Sequence, residues 1–425
     1  MSRRVAYAIV GAAVVVPRLS VLLHERGSIL AAFTEKSDRF ATVFVHHGTY
    51  GFVPGEPSAY TQPLYGWFLI PVYWIFGRHW ESVGLFQIGL AVVTALLVFE
   101  LARRFLSGRA AVLAAVIVTL NPYLVWHDVH VNREIVDQVL AVSVVLVTLV
   151  AAERRSLSLA ALDGLLCGLA ILGNTRLALL PLLVAGYLAW RLRTRRQALV
   201  AGAAVLALAG VAVTPWLVRN EASVGCWTLT TDARALWKAN NPDTYRVLAS
   251  GRWIDAVPPL PGAPAYTPEA AGDVYEKTGR VIHVDECGQM RLYRHQVIRF
   301  WEQHPGEKAK LAGTAVRMLW DPRATETTER PGQGTGLDTL RRWVEGGWMS
   351  ALYVLGIAGL FLVPRAVAAL AVLLLAYQTA AAVVFAGTTR YRVAWDFLIG
   401  LLATAALAWA AQRRSQADRP ELVPE

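Results

Sequence analysis

The sequence predicts an all-α polytopic membrane protein with about ten transmembrane helices, juxtamembrane helices on the outer surface and one extracytoplasmic insert. Of its 425 residues, 55% are hydrophobic and only 17% are charged, and the mean hydropathy is +0.40. A soluble domain carries about 25% charged residues. The apolar residues form runs such as 198–218 and 366–386, which are long enough to cross a bilayer as helices.

Ten apolar segments are predicted to cross the membrane, and the arginines between them set the orientation. The predicted spans are 5–23, 82–102, 110–126, 135–152, 157–173, 176–190, 198–217, 348–363, 366–386 and 393–411. If Arg3 and Arg4 lie in the cytoplasm, the later basic loops also fall there, as the positive-inside rule requires. These loops carry Arg103-Arg104, Arg154-Arg155, Arg191 to Arg196, Arg365 and Arg413-Arg414. The net charge of +10 therefore reflects topology, and we expect no nucleic-acid partner.

The apolar segment 63–77 is too short to cross the bilayer. Treating it as a span would reverse the side of every basic loop from Arg103 onward, so we expect an interfacial or re-entrant helix on the outer surface. The chain then divides into three regions: a transmembrane catalytic module at 1–217 with its first outer loop at 24–81, an extracytoplasmic insert at 218–347, and C-terminal transmembrane helices with a cytoplasmic tail at 348–425.

The insert holds two of the three cysteines, Cys226 and Cys287. If the insert is extracytoplasmic they could form a disulfide, and otherwise they remain free thiols. Within the insert, the apolar spacing of residues 290–303 predicts an amphipathic helix.

The first outer loop carries the leading catalytic candidate, Asp38, in the sequence Glu35-Lys36-Ser37-Asp38-Arg39. Acids near a membrane are costly and usually serve a function. A carboxylate within ~3 Å of a hydroxyl can take its proton as a general base. Alternatively, Asp38 is a solvated loop acid or a helix N-cap.

A second polar cluster lies in residues 126–137. If this segment is helical, His127, His130, Glu134 and Asp137 share one face. His127, His130 and Glu134 could bind a divalent cation, which is the one cofactor that the sequence suggests without requiring it. The same face could instead orient a hydroxylated substrate, or simply form a polar cap among lipid headgroups.

Arginines also occur at the outer ends of predicted spans, where the positive-inside rule does not favour them: Arg176, Arg219, Arg390 and Arg392. Arginine is a natural bidentate partner of phosphate, so we expect them to bind an anionic lipid headgroup. Snorkelling to ordinary lipid phosphate is the alternative. In the insert, Lys238, Asn240 and Asn241 could hydrogen-bond a sugar or phosphate.

Several short motifs follow one another along the whole chain. They are Ser37-Asp38 before Gly48–Phe52 and Pro63-Leu64-Tyr65, Asn121-Pro122 before Glu134, Gly173 and Arg176 before Pro181, Pro215-Trp216 with Arg219-Asn220, Leu236–Pro242, His304-Pro305-Gly306 before Trp320, and Arg390-Tyr391-Arg392. In this order they resemble the polyprenyl-phosphate-sugar-dependent membrane glycosyltransferases of the GT-C type, the group of the protein O-mannosyltransferases and the lipid A aminoarabinose transferases. The match is specific for the superfamily and does not indicate a substrate.

The resemblance implies a GT-C-like fold and an enzyme that moves a sugar from a polyprenyl-phosphate donor at the extracytoplasmic face of the plasma membrane. Asp38 would deprotonate the acceptor, and Arg176, Arg219 and Arg390 or Arg392 would support the leaving phosphate. Further substrate contacts would come from His130, Glu134, Lys238, Asn240, Asn241 and Tyr391. The expected partners are the lipid-linked donor, membrane lipids and an acceptor that is a glycan, a lipid or a protein.

Two features depart from the pattern, and two other functions stay open. Many relatives carry a second acid beside the first-loop Asp, where this sequence has Arg39, and His127 and His130 lie close to Glu134. A transporter or flippase for a lipid-linked sugar would predict inverted repeats and broken helices, which the sequence does not display. A non-catalytic cell-envelope assembly protein is the other alternative.

Overall fold

The computed structural model describes residues 1–31, 34–323 and 336–417. Over these residues the chain forms α-helices and no β-strand, apart from an isolated bridge between Val53 and Glu56. The helices are α1 (Arg3–His24), α2 (Lys36–His47), α3 (Pro63–Phe76), α4 (Trp80–Ala102), α5 (Gly108–Thr119), α6 (Pro122–His127), α7 (Glu134–Arg154), α8 (Leu157–Gly173), α9 (Leu180–Arg191), α10 (Arg195–Val224), α11 (Ala233–Lys238), α12 (Thr244–Ala249), α13 (Pro268–Thr278), α14 (Glu286–Gln303), α15 (Pro305–Trp320), α16 (Gly336–Leu360), α17 (Arg365–Val384), α18 (Thr389–Arg392) and α19 (Asp396–Ala417). The predicted all-α fold is confirmed.

Six stretches of the described chain are long and apolar enough to cross a membrane: α1, α4, α7, α10, α17 and Thr389–Gln416. The ten predicted spans fall on helical segments, but several of these helices are shorter than a full span. The predicted span 110–126 is divided because Asn121 ends one helical segment and caps the next, its Oδ1 accepting from Tyr123 N at 3.0 Å. Helix length alone therefore does not set the number of crossings.

Small residues allow α8 and α10 to pack closely. A Cβ placed on Gly168 would lie 2.6 Å from the Cβ of Ala212 and 2.8 Å from the carbonyl oxygen of Ala209. Gly164, one turn earlier, meets the backbone of Val205 in the same way. Pairs of small residues spaced by four let helix backbones approach in a membrane, where dispersion contacts replace the hydrophobic effect.

The segment predicted to lie on the membrane surface is α3. It begins with Pro63 at a position where the missing N–H is not needed and ends at Gly77, whose φ of 74° suits glycine. Near its C-terminus, Trp74 is 75% exposed and Ile75 is 62% exposed. An apolar, aromatic helix end of this kind suits the interfacial region of a bilayer.

The insert has its own small core. Trp237, Ile254, Tyr293 and Val297 are buried together there, and a disulfide joins Cys226 to Cys287. The predicted amphipathic helix is present as α14. The proposed boundary at residue 217 falls inside α10, which continues to Val224. Residues 324–335 of the insert and 418–425 of the predicted tail lie outside the described residues.

Candidate functional site

A polar cavity of about 1020 Å³ lies between the first loop, the insert and the ends of several long helices. Its walls come from segments far apart in sequence: Thr34–Lys36, Tyr60–Gln62, His127, Asn132-Arg133, Asn174–Arg176, Leu217, Trp227–Thr230, Asp232–Leu236, Lys238, Trp253–Asp255, Glu269, Arg294, Phe385-Ala386 and Arg390-Tyr391. Tertiary packing therefore brings together parts of the chain that the sequence separates by more than 300 residues.

Glu35 is the first-loop acid that faces this cavity. It stands immediately before α2, and its backbone N–H donates to the carbonyl oxygen of Val131 at 3.0 Å. Its carboxylate forms an ion pair with Arg390, and the Nε of Arg133 lies 3.8 Å from the same oxygen. The side chain is 13% exposed. A carboxylate from the loop thus meets cations from two other segments.

Asp38, the predicted base, lies one helical turn later and points away from the cavity, towards α3. Its Oδ1 accepts from the Tyr73 hydroxyl at 2.6 Å and from Arg78 Nε at 3.0 Å, and its Oδ2 accepts from Arg78 Nη2 at 2.7 Å. The residue is 6% exposed and does not line the cavity. Both oxygens are therefore occupied in holding the first loop to α3.

Of the four predicted phosphate-binding arginines, Arg176 and Arg390 line the cavity. The Arg176 guanidinium stacks on Tyr391, 2.9 Å from the ring centroid, and its Nη1 is buried without a hydrogen-bond partner. Arg390 forms ion pairs with Glu35 and Glu134. Tyr391, a predicted substrate contact, also lines the cavity.

The other two predicted arginines serve the framework instead. Arg219 donates to the carbonyl oxygens of Ser58 at 2.8 Å and Tyr50 at 3.0 Å, so it fixes the end of the first loop. Arg392 is fully buried, pairs with Asp396 at 2.9 Å and also bonds the carbonyl oxygen of Leu319. Neither lines the cavity. Direct phosphate contact by either would require these bonds to break.

The cluster at 127–137 is not one continuous helix. Helix α6 ends at His127 and α7 begins at Glu134, so the helical spacing assumed for the four side chains is wrong. His127 lines the cavity, whereas His130 stacks on Trp126 with ring centroids 3.7 Å apart and bonds its carbonyl oxygen at 2.8 Å. Among the described residues no three His, Cys, Asp or Glu side chains converge as a metal site. His127, His130 and Glu134 therefore do not fit a divalent cation.

The predicted sugar contacts in the insert are partly structural. Lys238 lines the cavity but pairs with Asp255 at 2.5 Å. Asn240 is fully buried, and its Oδ1 accepts from Trp301 Nε1 at 2.9 Å and from Lys308 Nζ at 2.6 Å. Asn241 shapes a turn, its Nδ2 donating to the Trp237 carbonyl oxygen at 2.9 Å. Neither asparagine lines the cavity.

Several cavity residues were missed by sequence reasoning, chiefly Glu35, Lys36 and Arg133. Lys36 reaches across to the insert, 3.1 Å from Asp232 and 3.4 Å from Glu269. Burial opposes the charge of Lys36, but the two carboxylates hold its pKa above the ordinary value. Glu35 could have been found from the sequence because it lies three residues before Asp38 in the same charged motif. No comparable motif in the sequence points to Arg133.

Comparison with known proteins gives one family and several solved structures. Residues 56–218 match the dolichyl-phosphate-mannose-protein mannosyltransferase family. Comparison with curated proteins gives no match. The oligosaccharyltransferase AglB from Archaeoglobus fulgidus, solved with an inhibitory peptide and a dolichol-phosphate, has a TM-score of 0.53 at 12% identity, covering 97% of this chain and 52% of that one. The Archaeoglobus fulgidus oligosaccharyltransferase tethered to an acceptor peptide has a TM-score of 0.56 at 12% identity, with coverages of 99% and 52%.

ArnT from Cupriavidus metallidurans, bound to undecaprenyl phosphate, aligns at 14% identity over 97% of this chain and 80% of that one, with a TM-score of 0.38. The chain spans about half the length of the oligosaccharyltransferases. At these identities the structural likeness concerns the fold. Together, the family match within residues 56–218 and the fold shared along almost the whole chain agree with the GT-C resemblance that the sequence motifs predict.

Proposed function

We propose that the protein transfers a sugar from a polyprenyl-phosphate donor to a hydroxyl-bearing acceptor in this cavity. The observation that carries the proposal is the convergence of an acid and three arginines from four separate segments: Glu35, Arg133, Arg176 and Arg390. The family that matches residues 56–218 is described by a dolichyl-phosphate-mannose donor, and AglB was solved with a dolichol-phosphate. Both support a lipid phosphate as the leaving group.

The donor phosphate would lie between Arg176 and Arg390. Arg176 Nη1 is a buried donor without an internal partner, which costs free energy that an incoming acceptor oxygen would recover. A guanidinium can bind phosphate through two parallel N–H donors. Negative charge develops on the departing phosphate during transfer, so fixed cations at this place lower the barrier.

Glu35 is the base in this proposal, in place of Asp38. In the structure its carboxylate is paired with Arg390. A donor phosphate that takes over Arg390 would free Glu35 to accept a proton. The acceptor oxygen then attacks the anomeric carbon, the bond from that carbon to the phosphate oxygen breaks, the electron pair leaves with the phosphate, and the acceptor proton passes to Glu35. A single displacement of this kind inverts the anomeric centre.

The cavity would face the extracytoplasmic side. The disulfide between Cys226 and Cys287 supports this orientation, because such bonds persist in oxidising compartments. The loops that are rich in arginine lie at the opposite helix ends, as the positive-inside rule favours for the cytoplasm. A plasma-membrane location follows if the producing cell is bacterial or archaeal.

The experiment is transfer by the purified full-length protein in detergent or liposomes, with a panel of polyprenyl-phosphate donors that carry a labelled sugar and candidate glycan, lipid and peptide acceptors. Glu35→Gln should lower kcat at least ~100-fold, since general-base catalysis contributes roughly that factor. The matched control is Glu56→Gln, an acid of the same loop that does not line the cavity. Arg176→Gln should raise KM for the donor and lower kcat together.

Full activity of Glu35→Gln, with wild-type expression and folding, would remove Glu35 as the base. If no donor in the panel yields transferred sugar but labelled lipid crosses sealed vesicles, the protein is a transporter. If neither occurs and labelled donor still binds, a non-catalytic role in envelope assembly is favoured.

A further inference from the structure

A second cavity lies at the other end of the helices. It has a volume of about 420 Å³ and is formed where α7 and α9 end and α8 and α10 begin. Helix α7 runs from Glu134, at the first cavity, to Arg154, beside the second. Its 21 residues span about 30 Å at 1.5 Å per residue. The two cavities are therefore separate sites.

This second cavity is apolar inside and cationic at its rim. Ala160, Leu188 and Ala201 form its buried floor, while Leu157 and Val200 line it and remain 51% and 45% exposed. The cavity thus opens onto the apolar surface that lipid chains would cover. No acidic side chain is among the described residues that line it, but Arg155 and Arg196 are.

The two arginines have no acidic partner among the described residues. The nearest acid in sequence, Glu153, is paired instead with Arg104 at 2.9 Å. The first turns of α8 and α10 also point their N-termini at this end of the bundle, which adds a positive potential. Charge and shape at the cavity therefore complement an anionic headgroup with an attached acyl chain.

Arg155 has an unusual backbone. Its φ of 51° is the one positive φ found at a non-glycine residue in the described chain. It directly follows α7, a position at which glycine is usual because a side chain in the left-handed region is strained. The backbone at Arg155 is therefore strained, and this conformation places its side chain at the mouth of the apolar cavity.

We propose that this cavity binds an anionic phospholipid of the surrounding bilayer, with its phosphate between Arg155 and Arg196 and an acyl chain along the apolar floor. Basic pockets between helices at a membrane surface bind acidic lipid headgroups by this chemistry. The proposal does not depend on the glycosyl-transfer reaction, and it predicts a structural lipid that steadies the contacts among the four helix ends.

The test measures apparent Tm of the purified full-length protein in a neutral detergent, with added phosphatidylglycerol or phosphatidylcholine of the same chains, and counts bound lipids by native mass spectrometry. Phosphatidylglycerol should raise the Tm of the wild type, because a ligand that binds only the folded state stabilises it. Phosphatidylcholine and inorganic phosphate at equal concentration should not.

Arg155→Gly and Arg196→Gln should each weaken lipid binding roughly fivefold, the usual worth of one arginine near anionic lipid. Without lipid, Arg155→Gly should be at least as stable as the wild type, because glycine adopts a positive φ freely. This separates loss of a ligand from loss of the fold. The matched control is Arg154→Gln, an exposed neighbour that does not line the cavity.

The proposal is overturned if Arg154→Gln weakens binding as much as Arg155→Gly, since the attraction would then belong to the whole basic surface. Equal stabilisation by phosphatidylcholine would overturn it too. If polyprenyl phosphate raises the Tm but phosphatidylglycerol does not, the ligand of this cavity is the leaving group of the donor and not a bilayer phospholipid, and the proposal is wrong.

Discussion

Replacing Asp38 by Asn distinguishes a framework acid from a catalytic one. In the structure the Asp38 carboxylate receives three hydrogen bonds, one from Tyr73 and two from Arg78. An amide in its place keeps one acceptor oxygen but loses the charge and the second acceptor. We therefore expect Asp38→Asn to weaken the contact of the first loop with α3 while leaving the chemistry at Glu35 in place.

The size of the effect follows from the partners. A hydrogen bond to a charged group contributes ~1.5–3 kcal/mol when buried. The side chain of Arg78 is 35% exposed, so solvent screens its share. The expected loss is about 2 kcal/mol in the free energy of unfolding, and Arg78→Gln should cost a similar amount. Since the two variants remove one interaction, their double mutant should fall short of the sum by ~1 kcal/mol.

The assay combines denaturant unfolding of the purified protein in detergent with glycosyl transfer per folded molecule. Asp38→Asn should keep transfer within about threefold of the wild type, as for a residue that does not touch the reacting atoms. Glu35→Gln should show the opposite profile, with stability near the wild type and transfer lost. If Asp38→Asn abolishes transfer while its stability is unchanged and Arg78→Gln stays active, the reasoning is refuted and Asp38 returns as the base.

Three further predictions concern the framework. Gly168→Leu should lower the free energy of unfolding by ~3 kcal/mol or reduce the folded yield, because a Cβ at this position would lie 2.6 Å from a side chain of α10. The control, Gly210→Leu, places its side chain in open space and should change little in the same unfolding assay. Arg18→Met should lower the free energy of unfolding by ~3–5 kcal/mol, since the fully buried Asp128 carboxylate would lose the Arg18 guanidinium as its ion-pair partner. A variant as stable as the wild type would contradict the importance of this ion pair. Burial raises the pKa of Glu286 above its ordinary value of 4.5. The folded state therefore holds this proton more tightly, and the free energy of unfolding should fall as pH rises from about 4.5. Glu286→Gln should flatten that part of a pH titration of unfolding, and an unchanged slope would count against this assignment.

The all-α membrane fold could be predicted from the sequence because its signal is local. Apolar runs of helical length and the arginine clusters between them are readable without knowing any contact. The short apolar helix α3 and the amphipathic helix α14 followed from the same kind of pattern. The order of short motifs likewise led to the GT-C superfamily, which the family match and the fold confirm.

The candidate site was predicted in part. Arg176, Arg390 and Tyr391 stood out because polar groups at the ends of apolar spans are costly unless they have partners or a function. The choice between Glu35 and Asp38 could not be made from sequence, since both belong to one short polar motif. One turn of α2 separates them, and only the packing of α2 against α3 decides that Asp38 meets Arg78 while Glu35 faces the cavity.

The sequence by itself determined what each segment is: which runs are apolar enough for lipid, where the basic loops lie, and which superfamily the motifs match. Tertiary structure alone decided which polar groups meet. A guanidinium such as Arg392 satisfies its donors inside the framework, whereas Arg176 keeps a buried donor without a partner at the cavity. The physical reason is that hydrophobicity is summed along a segment, while hydrogen bonds and ion pairs need atoms within about 3 Å that come from distant parts of the chain.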